Sequence, residues 1–286
     1  MSYKRRAHFH CTRSALIRSC VFALALSFTM ASALAQSTQS KLDALRRACS
    51  IAVQTDNEKF PAYNNHGRID GANPDAASLK NYLPMFVEEF SLYPPECIKR
   101  SDLKKVIVCK SLRFAEQLRS AIPDYAHDTL YLDCENGIWS SAYMRHTVHH
   151  EYFHIIDWKD DGRVYEDKEW SALNPKGFKY GTGGKNNQDN DAYGTGANLS
   201  GFLSAYATTG VEEDKAEMFA NMMVRYKAVE RRAQADAVIA SKFARMKELL
   251  KQFCPEMDDA FWRKISERGI DDSEQTKTGA DDAPVR

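Results

Sequence analysis

The sequence predicts a single α+β domain, with a small sheet packed on one long helix and a mostly helical C-terminal half. Three observations carry that expectation. Residues 105–109 (Lys-Val-Ile-Val-Cys) and 129–133 (Thr-Leu-Tyr-Leu-Asp) are β-branched and aromatic runs bounded by polar residues, the composition of short strands. Residues 140–158 repeat apolar side chains at helical spacing, with Val148, Tyr152, Ile155 and Ile156 forming a packing stripe. Residues 212–229, 233–253 and 258–267 continue in helical periodicity to near the end of the chain. Strands gathered early and helices gathered late suit segregated layers of secondary structure.

The other elements follow in order. Residues 40–53 have helical spacing through Leu42, Leu45, Ala48 and Ile51. The polar stretch 55–74, with its Gly and Pro, reads as loop, and 79–93 reads as helical from Pro84 onward, because proline is tolerated in a first turn. Residues 111–122 look helical. Residues 159–200 are rich in Gly, Asn and Asp, a loop of a length that is usually functional or disordered.

The ends differ in character. Residues 1–19 carry Lys4, Arg5, Arg6, Arg13 and Arg18 and no acid; an apolar run from Cys20 to Met30 follows, then Ala33-x-Ala35. This is the pattern of a cleavable signal peptide over residues 1–35. Arg5-Arg6 admits a twin-arginine reading, which the following residues fit poorly. The apolar run is shorter than the roughly 20 residues a membrane span needs, so the expectation is an exported protein, periplasmic or secreted, with no stable span after cleavage. Residues 36–269 then form the domain, and the acidic, polar stretch 270–286 reads as a disordered tail.

The chain has 286 residues and a formal net charge of +0, with basic residues spread along it, so nothing argues for a nucleic-acid surface. Of seven cysteines, Cys49, Cys97, Cys109, Cys134 and Cys254 remain after cleavage. An exported chain permits disulfides, and Cys109 and Cys134, ending the two predicted strands, are the expected pair. No two cysteines have C-x-x-C spacing, which argues against a cysteine-ligated zinc.

The chemistry concentrates at His150-Glu151-Tyr-Phe-His154, the zincin motif H-E-x-x-H. Positions four apart share a helix face, so both imidazoles reach one ion, while Glu151 projects about 100° away and suits a general base for a water. A His146/His150 pair is also geometrically possible but puts Thr147 where the base belongs; His146 reads as a cleft residue and His149 as structural. A catalytic zinc takes three protein ligands and keeps one position open. Asp160 stands where metzincins place theirs, but Asp157 replaces the glycine that turn requires. A better source is the stretch Tyr206–Ala220. Thr209 and Glu212 have capping-box spacing, and Glu213 and Glu217 lie one turn apart on the helix that follows. One would be the ligand and the other an acid steadying a ligating histidine.

Together, the His-Glu-x-x-His helix, a long insertion containing Leu173-Asn-Pro-x-Gly177-Phe, and then Ser204-x-Tyr-Ala and Glu213-Asp-x-Ala-Glu217 resemble the gluzincin peptidases. The likeness is strongest to the bacterial zinc-binding metallopeptidases related to anthrax lethal factor, and covers about residues 146–157 and 204–219. It implies a zincin-like fold, a Zn2+ cofactor, and hydrolysis of a peptide or protein substrate. Glu213, seven residues after Tyr206, becomes the third ligand beside His150 and His154. Glu217 becomes an outer acid, with Asp157 a second one, and Tyr206 a hydroxyl donor to the developing oxyanion. Lys215 stands where the family has an aromatic residue. A one-turn shift of register would make Glu217 the ligand, with Asp214 a more distant choice. A non-catalytic zinc-binding protein and a zinc amidase remain the alternative functions.

Overall fold

The computed structural model describes residues 35–56, 58–183 and 199–268. The expected signal peptide (but for its last residue), the middle of the long loop and the expected tail lie outside them. The described residues form a mixed α+β domain with one sheet of seven strands and eight helices.

The sheet grows from β4 (Lys105–Phe114), in which Val106 and Val108 face the main core and Ile107, Cys109 and Leu112 the other side; the strand continues well past its predicted end. Its first half is flanked by two parallel neighbours, β1 (Ala52–Gln54) and β7 (Thr129–Asp133); β6 (Ala121–Asp124) adds an antiparallel edge to β7. Its second half pairs antiparallel with β3 (Gly67–Ala72) and β5 (Gln117–Leu118), and β2 (Ala62–Asn64) closes a hairpin on β3.

Three predicted boundaries change, each for a local reason. Residues 111–122 are a hairpin and not a helix: Arg113 pairs with Leu118 and Phe114 with Gln117, across Ala115 and Glu116, both at positive φ. Positive φ at both central residues is the two-residue turn that matches strand twist, here without the usual Asn or Gly. The expected loop 55–74 holds β2 and β3, polar strands in which Ile69 alone is fully buried. The first helix, α1 (residues 35–49), stops at Ser50 in the left-handed region; Ile51 and Val53 then alternate inward into β1.

The helices cover the sheet. α2 (Ala76–Phe90) is capped by Asp75, whose side chain accepts from Ser78 N at 2.9 Å, so Pro84 falls inside it and not in its first turn. After the short α3 (Pro95–Arg100) comes α4 (Ser141–Asp161), capped by Ser140 and ended at Gly162 with φ 74°. α4 contacts β6 and β7 on one side, α2 on another, and α6 (Val211–Ala235) most extensively. Between them lies α5 (Lys168–Ala172). Asp236 accepts from Val238 N and Ile239 N and so separates α6 from α7 (Ala237–Phe253); α8 (Asp259–Ser266) closes the chain against α6. α6 starts within a residue of expectation, but at Gly210; Thr209 donates its hydroxyl to Tyr206 O instead of capping.

The expected Cys109–Cys134 disulfide does not form. All five cysteines among the described residues are buried free thiols. Cys134 N does donate to Cys109 O at 2.8 Å, but Cys109 pairs in register with Asp133, so the next residue points to the opposite face. Cys109 accordingly packs with Ile107 and Tyr131, and Cys134 in the main core on the other side. No helix among the described residues is long and apolar enough to cross a membrane.

Candidate metal centre

α4 and α6 face each other through their buried sides, and their polar residues there meet one another. Residues 211–220 are buried on every side, so Glu213, Asp214, Lys215 and Glu217 are held inside the protein. Buried charges persist only when paired, and each of these four is.

Glu213 Oε2 lies 2.9 Å from His150 Nε2 and 3.5 Å from His154 Nε2, and the two Nε2 atoms are 3.3 Å apart. These separations match the edge of a tetrahedron around zinc, about 3.3 Å for zinc–ligand lengths of ~2.0–2.1 Å. The three side chains form one of two groups among the described residues that could hold a metal ion. All three are at least nine-tenths buried. His154 Nδ1 is buried without a hydrogen-bond partner, as is Asp157 Oδ2.

The second group is His146, His150 and Glu217. Glu217 Oε1 sits 3.1 Å from His150 Nδ1, the nitrogen facing away from Glu213, and 3.3 Å from His146 Nε2. Asn221 Nδ2 donates to Glu217 O at 2.8 Å and lies 3.3 Å from His146 Nε2. His150 therefore has a carboxylate at each nitrogen. Glu213 shares a corner with both histidines of the motif, and Glu217 holds the back of one ring.

The charges follow from this packing. Burial opposes a charge on His150, but the hydrogen bonds it donates to Glu213 and Glu217 outweigh that and hold its pKa well above the usual imidazole value. Burial likewise raises Glu213 and Glu217, yet the histidines win; Glu213 stays below the ordinary carboxylate range and Glu217 falls to about 2. His146 is pushed down to about 4, chiefly by burial. Glu151 is half-buried; desolvation raises its carboxyl, and His150 and His154 oppose the shift. Tyr206, buried in the turn before α6, has its ring centroid 5.9 Å from that of His150.

Several partners escape sequence reasoning because they come from distant elements. Asp157 accepts from Lys215 Nζ at 2.7 Å and makes no hydrogen bond to either motif histidine; Asp167 adds a second carboxylate 3.4 Å from the same ammonium. Lys215 is thus held inside the protein as one half of a buried ion pair. Asp214 Oδ2 receives Lys242 Nζ at 2.7 Å, Trp170 Nε1 at 2.9 Å and the Tyr180 hydroxyl at 2.6 Å, which removes it as a ligand. His149, as expected, is structural: it lies between the Tyr93 hydroxyl and Glu89, fully buried. Asp160 remains apart, in a surface pocket with Arg163 and Arg245. Tyr125 was also unforeseen. Burial raises its hydroxyl, and its ring stacks on Trp158 with centroids 5.3 Å apart.

The comparison with curated proteins finds none that matches the chain. Among solved structures, one described as a "putative zinc-binding metallo-peptidase" from Bacteroides caccae is similar, with 16% identity over 82% of this chain and 96% of that one and a TM-score of 0.49. Residues 126–255, the stretch that contains His146, His150, Glu151, His154, Tyr206, Glu213 and Glu217, match the family described as "Putative zinc-binding metallo-peptidase".

Proposed function

We propose that the chain is an exported zinc endopeptidase of zincin-like fold, in which His150, His154 and Glu213 hold the metal and Glu151 is the general base. The observation that carries this reading is the convergence of three buried donor atoms at 2.9, 3.3 and 3.5 Å, two of them from α4, which also bears Glu151, and one from α6. A carboxylate and two imidazoles are the donor set of open, catalytic zinc sites. Zinc bound there would supply a Lewis acid and lower the pKa of a water to about 7.

The chain's own residues divide the remaining work. Glu217 accepts from His150 Nδ1, fixing the tautomer that leaves Nε2 free as a donor, and His146, itself 3.3 Å from Asn221 Nδ2, lies against the Glu217 carboxylate. Glu151 takes the proton of the attacking water and delivers it to the leaving amine; its desolvation makes it a stronger base. Tyr206, against the His150 ring, donates its hydroxyl to the oxyanion of the substrate carbonyl. In this reading the mature domain runs from Gln36 to about residue 269, after removal of the signal peptide.

A peptide library incubated with the purified mature protein tests the activity. Wild type should cleave, and Glu151→Gln should keep its zinc while losing activity by a factor on the order of 10²–10⁴. Full activity in Glu151→Gln would remove Glu151 as the base. Zinc retention without cleavage in the wild type would favour a binding protein on this scaffold.

A further inference from the structure

His146 is a metal-binding side chain that the proposed zinc site leaves unused. It stands one turn before His150 on α4, with its side chain 18% exposed. We propose that His146, His150 and Glu217 form a second metal site, which takes a divalent transition ion, copper above all, beside the zinc and shares the His150 ring with it. The inference goes beyond the peptidase reading, because this second ion is asked to do nothing in catalysis.

The two helices are spaced for it. His146, His150 and His154 recur every four residues on α4, and Glu213, Glu217 and Asn221 every four on α6, so each row follows one helix face. The rows run in opposite directions. His154 meets Glu213, His150 meets both glutamates, and His146 meets Glu217 and Asn221. An open zinc site needs three protein donors, and the zinc site proposed above draws on one end of this ladder alone.

The donor atoms are distinct. The first site uses Nε2 of His150, Nε2 of His154 and Oε2 of Glu213. The second uses Nδ1 of His150, Nε2 of His146 and Oε1 of Glu217. That oxygen lies 3.1 Å from His150 Nδ1 and 3.3 Å from His146 Nε2, close to the edge of about 3.3 Å for a tetrahedron with ligands at ~2.0–2.1 Å. The three atoms all lie within 4.8 Å of one another.

Chemistry favours an ion there. His146 Nε2 also lies 3.3 Å from Asn221 Nδ2. A neutral imidazole nitrogen is either donor or acceptor, so it cannot donate to Glu217 and accept from Asn221 at once. An ion takes the His146 lone pair and the Glu217 oxygen together, and Asn221 keeps its 2.8 Å bond to Glu217 O. Two imidazoles and a carboxylate suit zinc and copper, and copper binds such donors most strongly. On binding, the ion replaces the Nδ1 proton of His150, which leaves to solvent, and the ring bridges the two metals. That displaced proton makes the second site the weaker of the two.

The test starts from the zinc-loaded full chain at pH 7. Cu2+ is added, free metal is removed by gel filtration, and both metals are counted. Wild type should keep about one zinc and hold about one copper more than His146→Ala. His146→Ala should keep its zinc and bind that copper about tenfold or more weakly. A zinc-free chain given two equivalents of Cu2+ supplies a second readout. Two coppers joined through one ring are exchange-coupled, so the wild-type EPR intensity should fall below its copper content, and His146→Ala should restore it. Copper that binds His146→Ala equally well, or that expels zinc one for one, overturns the second site and leaves the peptidase reading intact. Full, uncoupled EPR intensity from two bound coppers overturns it as well. A chain that takes copper through His146 but no zinc overturns the zinc centre and upholds the second site.

Discussion

His150 is the residue on which the centre turns, because each of its nitrogens faces a different carboxylate on α6. With Glu213 and Glu217 raising its pKa well above the usual value, the metal-free chain holds a proton there at pH 7. A ligating imidazole must be neutral, so zinc and the proton compete. The sign is that zinc binding at pH 7 releases about one proton, and affinity weakens as pH falls below the raised pKa of His150. Calorimetric titration in buffers of differing ionisation enthalpy measures this; zero release would mean that His150 is already neutral. The sequence made the pairing of His150, His154 and Glu213 legible through helical spacing and the interval from Tyr206. It could not reveal the contacts of Lys215 and Asp214. Both look like solvated charges in a polar run, and only tertiary packing buries them against Asp157, Asp167, Lys242, Trp170 and Tyr180.

At the scale of elements, the first turn of α6 is clamped by the residues that follow Glu213. Lys242 reaches from α7 to Asp214 and also donates to Gly201 O at 2.7 Å, fully buried over the Phe202 ring. Lys242→Met should leave an uncompensated buried carboxylate and cost about 3–5 kcal/mol in urea unfolding. A change below about 1 kcal/mol would show that Trp170 and Tyr180 satisfy Asp214 without it. Elements with strong local signals were legible: α4 from its stripe, α8 from its helical periodicity, β7 from its β-branched and aromatic run. The hairpin at Ala115-Glu116 was not, because those residues carry no turn signature and the turn is imposed by pairing of β4 with β5. The polar strands β2 and β3 lacked the apolar alternation that marks a strand.

At the scale of the molecule, α4 is the shared spine, touching β6, β7, α2 and α6, so the histidines sit where the sheet and the helical half meet. The Glu89 carboxylate joins the layers underneath, accepting from Arg145 and from Arg268 beyond α8, and contacting His149 at 2.8 Å. The core closes without disulfides. A denatured, unreduced chain spanning residues 36–286 should therefore show all five of its thiols, Cys49, Cys97, Cys109, Cys134 and Cys254, in a colorimetric thiol titration, and a bridged Cys109–Cys134 pair would contradict the opposed faces of those strands. The most direct test of the centre itself is the zinc affinity of Glu213→Ala and Glu217→Ala, measured side by side against a wild type holding about one zinc per chain. Glu213→Ala should be stripped at ordinary buffer concentrations. Glu217→Ala, which loses only the support behind His150, should weaken by roughly 10–100-fold and refill at elevated zinc. A metal-free Glu217→Ala beside a zinc-loaded Glu213→Ala would contradict the site and move the metal to His146, His150 and Glu217.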